Sequence, residues 1–272
     1  MPISIASWNI NSIRSRIEIT RRFLTESKPD ILCLQEIKCL PEQFPQEPFL
    51  ELGYKYIEIN GMKAYHGCAT LSRIPLQRMD IEFCPKGEAR HVSTIVETGP
   101  GFELHNFYVP AGGDVADREV NPKFGHKLDF LANMTNYYEK RAKGTDPGHV
   151  LVGDFNIAPH ENDVWSHKQL LKVVSHTPLE VEILKRLQDT HDFTDCSRLF
   201  ASDDEKLYSW WSYRARDVFK SNRGRRLDHI WVSPKLKPAV QASGPQGHII
   251  HTDCRIWEKP SDHVPMVQIL DI

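Results

Sequence analysis

Between Ile3 and Leu34 the apolar residues change their spacing twice, and this constrains the fold more than any other stretch. Ile3 to Trp8 reads Ile-Ser-Ile-Ala-Ser-Trp, the period of two expected of a strand with one buried face. From Ile13 the period lengthens. Ile13, Ile17, Phe23 and Leu24 share one helical face, and Arg14, Arg16, Glu18, Arg21 and Arg22 share the other. Pro29-Asp30 stops that helix, and Ile31-Leu32-Cys33-Leu34 follows as a short buried strand. Strand, helix, strand in this order predicts an α/β layered fold.

Further strands are expected at 55–59, 68–72, 91–97, 102–109, 149–152, 207–213, 227–232, 239–242 and 264–270. Helices are expected at 123–143, with Leu128, Leu131, Met134 and Tyr138 facing the core, and at 181–187. Pro41, Pro45 and Pro48 keep 39–49 a loop with at most a short helix. Strands outnumber helices, and several are only a hairpin apart. The expected architecture is therefore a four-layer α/β sandwich, two packed mixed β-sheets flanked by helices. No linker, charge run or repeat divides the 272 residues, so 1–272 is read as a single domain.

Composition removes several function classes. No stretch approaches the ~20 apolar residues of a membrane span, and Met-Pro-Ile-Ser is not a signal segment. A cytoplasmic protein with no membrane partner is expected. The six cysteines form no Cys-x-x-Cys pair, which argues against a disulfide framework or zinc site. The net charge of −2 announces no nucleic-acid binder. Any such surface must be gathered locally. The richest basic stretch runs from Arg214 to Arg226, with six cations against one acid. It is either a solvated loop or a phosphate-gripping one.

Chemistry gathers where strands end. The runs close or open on Asn9-Ile10-Asn11, Gln35-Glu36, Asp154-Phe155-Asn156, Asp228-His229 and Ser261-Asp262-His263. Alternation should turn Asp154 and Asn156 into one cavity, although an Asx-turn capping the strand is the plainer alternative. Asp is unfavourable inside a strand, so Asp228 needs a partner. Carboxylates and amides without a His or Cys cluster suit a hard ion such as Mg²⁺ and phosphodiester chemistry. An Asp-His pair can orient a water or offset phosphoryl charge.

Taken together, Trp8-Asn9-Ile10-Asn11, Leu34-Gln35-Glu36, Asn106-Phe107-Tyr108-Val109-Pro110, Gly153-Asp154-Phe155-Asn156, Ser209-Trp210-Trp211-Ser212-Tyr213-Arg214, Arg226-Leu227-Asp228 and Ser261-Asp262-His263 resemble the successive motifs of the exonuclease III family. These are apurinic/apyrimidinic endonucleases of the endonuclease/exonuclease/phosphatase superfamily. The resemblance implies a DNA-repair hydrolase that cuts 5′ to abasic sites and removes 3′ blocking groups or nucleotides. It implies Mg²⁺ as cofactor, with Mn²⁺ a possible substitute, and double-stranded DNA with abasic or 3′-blocked sites as partner of a monomer.

By the same resemblance, Glu36 is the principal metal ligand and Asn9 and Asp262 complete the metal and phosphate shell, with Asp154, Asn156 and His263 counted beside them. Asp154 activates or positions water, Asn156 holds it or a phosphate oxygen, and Asp228 orients His263 on the scissile phosphate. Tyr108 lies near the phosphate or leaving oxygen. Asn11, Arg90, Trp210, Leu227, Arg214, Arg223 and Arg225 face DNA, with Trp210 and Leu227 forming a wall for a sugar without its base. Ser12, Ala111 and Arg225 depart from residues common in the family, which bears on the balance between incision and exonuclease activity.

Overall fold

The computed structural model describes residues 2–99, 101–141, 147–214 and 222–272. Along the chain its strands are β1 (Pro2–Asn9), β2 (Ile31–Gln35), β3 (Tyr56–Asn60), β4 (Cys68–Ser72), β5 (Leu76–Met79), β6 (His91–Val96) and β7 (Phe102–Tyr108). They continue as β8 (His149–Asp154), β9 (Thr194–Asp195), β10 (Trp210–Trp211), β11 (Gly224–Arg225), β12 (Asp228–Val232), β13 (His248–Ile250) and β14 (Met266–Asp271). One six-stranded sheet has the order β13-β14-β1-β2-β4-β3, and the other β5-β6-β7-β8-β12-β9. Within each sheet one pair is parallel, β1 with β2 and β7 with β8. A parallel pair needs a crossover, and the helices Ile17–Ser27 and Pro122–Glu139 supply the two.

The sheets face each other through Ile3, Ile5, Ile31 and Cys33 on one side and Leu104, Val150, Val152 and Ile230 on the other. Ala6, Trp8, Leu32 and Leu34, at the opposite parity, pack under Phe23 and Leu24 of the helix Ile17–Ser27. Phe107, Leu151 and Trp231 pack under Phe130, Met134, Leu184 and Leu187 of the helices Pro122–Glu139 and Pro178–Thr190. Helix, sheet, sheet, helix makes the four layers expected.

Parity also places the polar residues. The row Ile3, Ile5 of β1 continues as Ser7 and Asn9, and the row Val150, Val152 of β8 continues as Asp154. Gln35 ends the row of Ile31 and Cys33, and Asn106 and Tyr108 end that of Phe102 and Leu104. Each inward row is thus apolar at depth and polar at one rim of the sandwich. Just below the rim, Gln35 Nε2 donates to Asn106 Oδ1 at 2.7 Å and joins the two sheets. At Gly153 (φ 132°) a side chain is impossible, because an added Cβ would meet the Phe107 carbonyl oxygen at 2.0 Å.

Three expectations need correction, and an edge strand was not anticipated. Residues 239–242 lie in the helix Lys237–Ser243, not a strand: Pro238 fixes its first turn, and only Ala239 and Val240 need burial. The stretch 207–213 contributes only Trp210–Trp211, paired with Gly224–Arg225. Leu76–Met79 is a strand at the sheet edge, unanticipated because its exposed Gln77 and Arg78 break the apolar pattern. The first helix begins at Ile17 rather than Ile13, after Asn11 and Ser12 have taken left-handed backbone (φ 46° and 88°).

Candidate active site

In the ladder between β8 and β12, Asp154 lies directly opposite Asp228. Asp228 Oδ2 accepts from Ser209 Oγ at 2.6 Å and from His263 Nδ1 at 2.8 Å. This fixes the imidazole so that His263 Nε2 faces Asp154 Oδ2 at 3.7 Å. The ligand atoms of all three lie within 4.8 Å of one another. Asp228 Oδ1 is buried without a hydrogen bond among the described residues, so much of that carboxylate's charge acts on the imidazole. Burial alone would push the His263 pKa down, but Asp228 and then Asp154 outweigh it and raise it to about 10. Burial raises the Asp154 pKa to about 7; His263 pulls it back, and Asp228 pushes it further up.

From the facing sheet, Asn9 Nδ2 donates to Asp154 Oδ2 at 2.9 Å and to Glu36 Oε1 at 3.0 Å. One amide therefore ties two carboxylates from two sheets. Its Oδ1, the atom a metal would use, accepts from Asn11 N at 3.1 Å. Glu36 (φ 51°) and Lys38 (φ 52°) both adopt left-handed backbone just past β2, which turns Lys38 Nζ onto Glu36 Oε2 at 2.8 Å. Burial opposes ionisation of Glu36, but the Lys38 charge and hydrogen bond prevail and lower its pKa. Asn11 Nδ2 donates to Asp262 Oδ1 at 3.0 Å, and Trp210 Nε1 donates to Asp262 Oδ2 at the same distance.

Four carboxylates, Glu36, Asp154, Asp228 and Asp262, thus surround a rim where the cations in direct contact with them are Lys38 and protonated His263. The imbalance and the hard oxygen donors fit a divalent ion. Glu36 and Asp262, both half-buried, present oxygens from the solvent side.

Asp154 and Asn156 share the site, but not by strand alternation. Asn156 N donates to Asp154 Oδ1 at 2.9 Å, the Asx-turn alternative, with Asn156 left-handed at φ 54°. Its Nδ2 donates to Asp154 Oδ2 and to the Val109 carbonyl, both at 3.0 Å. Tyr108 sits beside Asp154 in the parallel ladder. Burial, then Glu36 and Asp154, raise its pKa well above the usual phenol range.

The residues expected to face DNA divide into three kinds. Arg214 and Arg223 are exposed, with Arg223 over the Trp165 ring at 4.6 Å. Arg225 is half-buried over Trp210 and donates to Val174 O and Ser175 Oγ. Arg90 is buried, 4.9 Å from the Tyr108 ring centroid and ion-paired to Glu88. Trp210 packs with Leu227, while Trp211 turns to the core. Arg226, counted in the basic stretch, is a correction: it is fully buried between Asp163 and Asp195, and both carboxylates take two of its hydrogen bonds. Residues 215–221 of that stretch, with Arg216 and Lys220, lie outside the described residues.

The sequence pattern of the Endonuclease/Exonuclease/phosphatase family matches residues 6–263. The chain belongs to that family. Within it, the chain is 33% identical to exodeoxyribonuclease III of Haemophilus influenzae, over 96% of this chain and 97% of that one. The fold is similar to an AP endonuclease from Archaeoglobus fulgidus, with TM-score 0.86 and 30% identity over 99% of this chain and all of that one. It is equally similar, at TM-score 0.86 and 29% identity, to the 3′ phosphatase NExo from Neisseria bound to a product DNA hairpin, again over 99% and 100% of the two chains.

Four residues at or beneath this rim escaped the reading of motifs. Ser209 opens a motif already singled out, and Lys38 stands two residues past Glu36; a hydroxyl ahead of two tryptophans and a nearby cation were the available signals. Gln35 was read as part of a strand end, not as the inter-sheet tie. Lys127 had no signal at all: it looks like a surface lysine of a helix, yet it is fully buried and donates to the Asn156 carbonyl at 2.8 Å while pairing with Glu180.

Proposed function

We propose that the protein is a Mg²⁺-dependent DNA-repair phosphodiesterase that hydrolyses the strand 5′ to abasic sites and removes 3′ blocking groups or nucleotides. The observation carrying this is the meeting of Asp154, Asp228 and His263 with Asn9-bridged Glu36 at one rim of the sandwich. Glu36 and Asp262 are the oxygen ligands proposed to hold the ion, with Asn9 and Asn156 orienting the carboxylates. When bound, Mg²⁺ supplies charge neutralisation to the phosphoryl group.

The chain's own groups supply the rest. Asp154, with a pKa of about 7, can hold a water and accept its proton near neutral pH. Protonated His263, fixed by Asp228, donates from Nε2 to a non-bridging phosphate oxygen as charge develops. A P–O bond forms to the water oxygen, the P–O3′ bond breaks, and the leaving O3′ takes a proton from the Tyr108 side of the site or from solvent. Trp210 and Leu227 offer an apolar wall that suits a deoxyribose lacking its base. We propose that Arg214 and Arg223 grip flanking phosphates and that the protein acts as a monomer within a single domain.

The test is an end-labelled duplex carrying one abasic analogue, incubated with Mg²⁺, with Mn²⁺ and with chelator. Incision 5′ to the lesion only with metal is expected, with an intact duplex cut slowly from its 3′ end. Release of phosphate from an inositol phosphate, with the duplex left whole, would reassign the site to the phosphatase side of the family.

A further inference from the structure

Beyond the catalytic rim, Cys84, Glu88 and His126 bring a thiol, a carboxylate and an imidazole within 4.8 Å of one another. They come from separate parts of the chain: Cys84 and Glu88 from the segment between β5 and β6, His126 from the helix Pro122–Glu139. Cys84 Sγ lies 3.8 Å from His126 Nε2, which lies 3.0 Å from Glu88 Oε2. His66 Nε2 stands 3.8 Å from the same Oε2, and both residues line a cavity of about 470 Å³. For a tetrahedral ion with bonds of ~2.0–2.3 Å, neighbouring ligand atoms stand roughly 3.3–3.6 Å apart. The Cys84–His126 and His126–Glu88 separations fall within a few tenths of an ångström of that.

We propose that Cys84, Glu88 and His126, with water in the fourth position, form a binding site for a zinc-class transition-metal ion, separate from the catalytic centre. Thiolate and imidazole are the wrong donors for Mg²⁺ and the right ones for Zn²⁺ or Co²⁺. The cavity, lined by His66, Glu88 and His126, gives the ion an entry. The other mixed cluster, Glu103, His105 and His149, has no such opening, being wholly buried. The cation and imidazole contacts on Glu88 all fall on Oε2. Oε2 carries two lone pairs, so it can take the ion while Arg90 keeps its own bond.

Little must change on binding. Burial would raise the Glu88 pKa, but Arg90 and then His126 lower it to about 2, so the carboxylate is already ionised. The Cys84 S–H bond breaks, its proton goes to solvent and the sulfur's electron pair goes to the metal.

The experiment is a titration of the full chain with Co²⁺ in excess Mg²⁺, read by absorption. One equivalent should give the visible bands of a tetrahedral ion and a thiolate-to-cobalt charge-transfer band. Cys84→Ser should lose the charge-transfer band, His126→Gln should weaken binding about 10-fold or more, and Cys254→Ser should keep both. Absence of a tetrahedral spectrum at stoichiometric Co²⁺, or its charge-transfer band surviving in Cys84→Ser, overturns the proposal. Should Cys84→Ser not fold, proton release by the unaltered protein on adding Zn²⁺ in weak buffer is the second readout. One proton per ion is expected, and none refutes the site.

Discussion

Two carboxylates compete for one imidazole at His263. Asp228 holds Nδ1 at 2.8 Å, and Asp154 faces Nε2 at 3.7 Å. Removing either partner changes the proton inventory as well as the geometry. Asp154→Asn and His263→Ala should each lower single-turnover incision by ~10²-fold or more, the scale of lost acid/base catalysis. Asp154→Asn should also lower the His263 pKa from about 10, since one of the two charges stabilising imidazolium is gone. Histidine NMR titration checks this, and an unmoved resonance would show that Asp228 alone sets that proton. Glu36→Ala removes a proposed oxygen ligand and releases Lys38 from its ion pair, so the Mg²⁺ concentration needed for half-maximal incision should rise.

Elements deliver these residues with little help from regular structure. Asn11, Glu36 and Asn156 all take positive φ where a strand has just ended, and each strained turn is held by something outside it. For Asn156 the holder is Lys127, whose Nζ reaches the Asn156 carbonyl from the helix Pro122–Glu139. Its partner Glu180 is also fully buried and accepts from Ser175 N and Thr177 N at the start of the helix Pro178–Thr190. Lys127→Met should cost about 3–5 kcal/mol in urea unfolding, because it strands a buried carboxylate. It should also lower kcat more than it raises KM, since the Asp154–Asn156 turn loses its anchor. An equal loss of stability with kcat intact would make Lys127 a fold residue alone.

At the scale of the molecule, a net charge of −2 is accompanied by several buried ion networks among the described residues and by exposed arginines near the rim. In one network Arg226 joins Asp163 and Asp195. Burial would raise both aspartates, but Arg226 lowers each below its ordinary value. Such depressed groups stabilise the fold fully above the unfolded carboxylate pKa and lose that contribution as pH falls toward their folded values. The Tm should therefore drop more steeply between about pH 5 and pH 3 in the parent than in Asp195→Asn. Calorimetry across that range decides it. Near the rim, Arg214→Gln with Arg223→Gln should weaken duplex binding. The slope of log K against log salt should fall by about one for each phosphate no longer neutralised. An unchanged slope would make both arginines bystanders.

The four layers, the strand rows and the residues at their ends follow from the sequence alone, because alternation and helical period are local and burial enforces them. Local order even identified Asp228 as a strand carboxylate in need of a partner. Only the tertiary structure could show that Arg226 is buried rather than basic surface, or that Lys127 props Asn156. It alone decided that one Asn9 amide ties Glu36 to Asp154 across two sheets. Those facts depend on which charges desolvate together. That is settled by contacts between residues far apart in the chain, which no local pattern encodes.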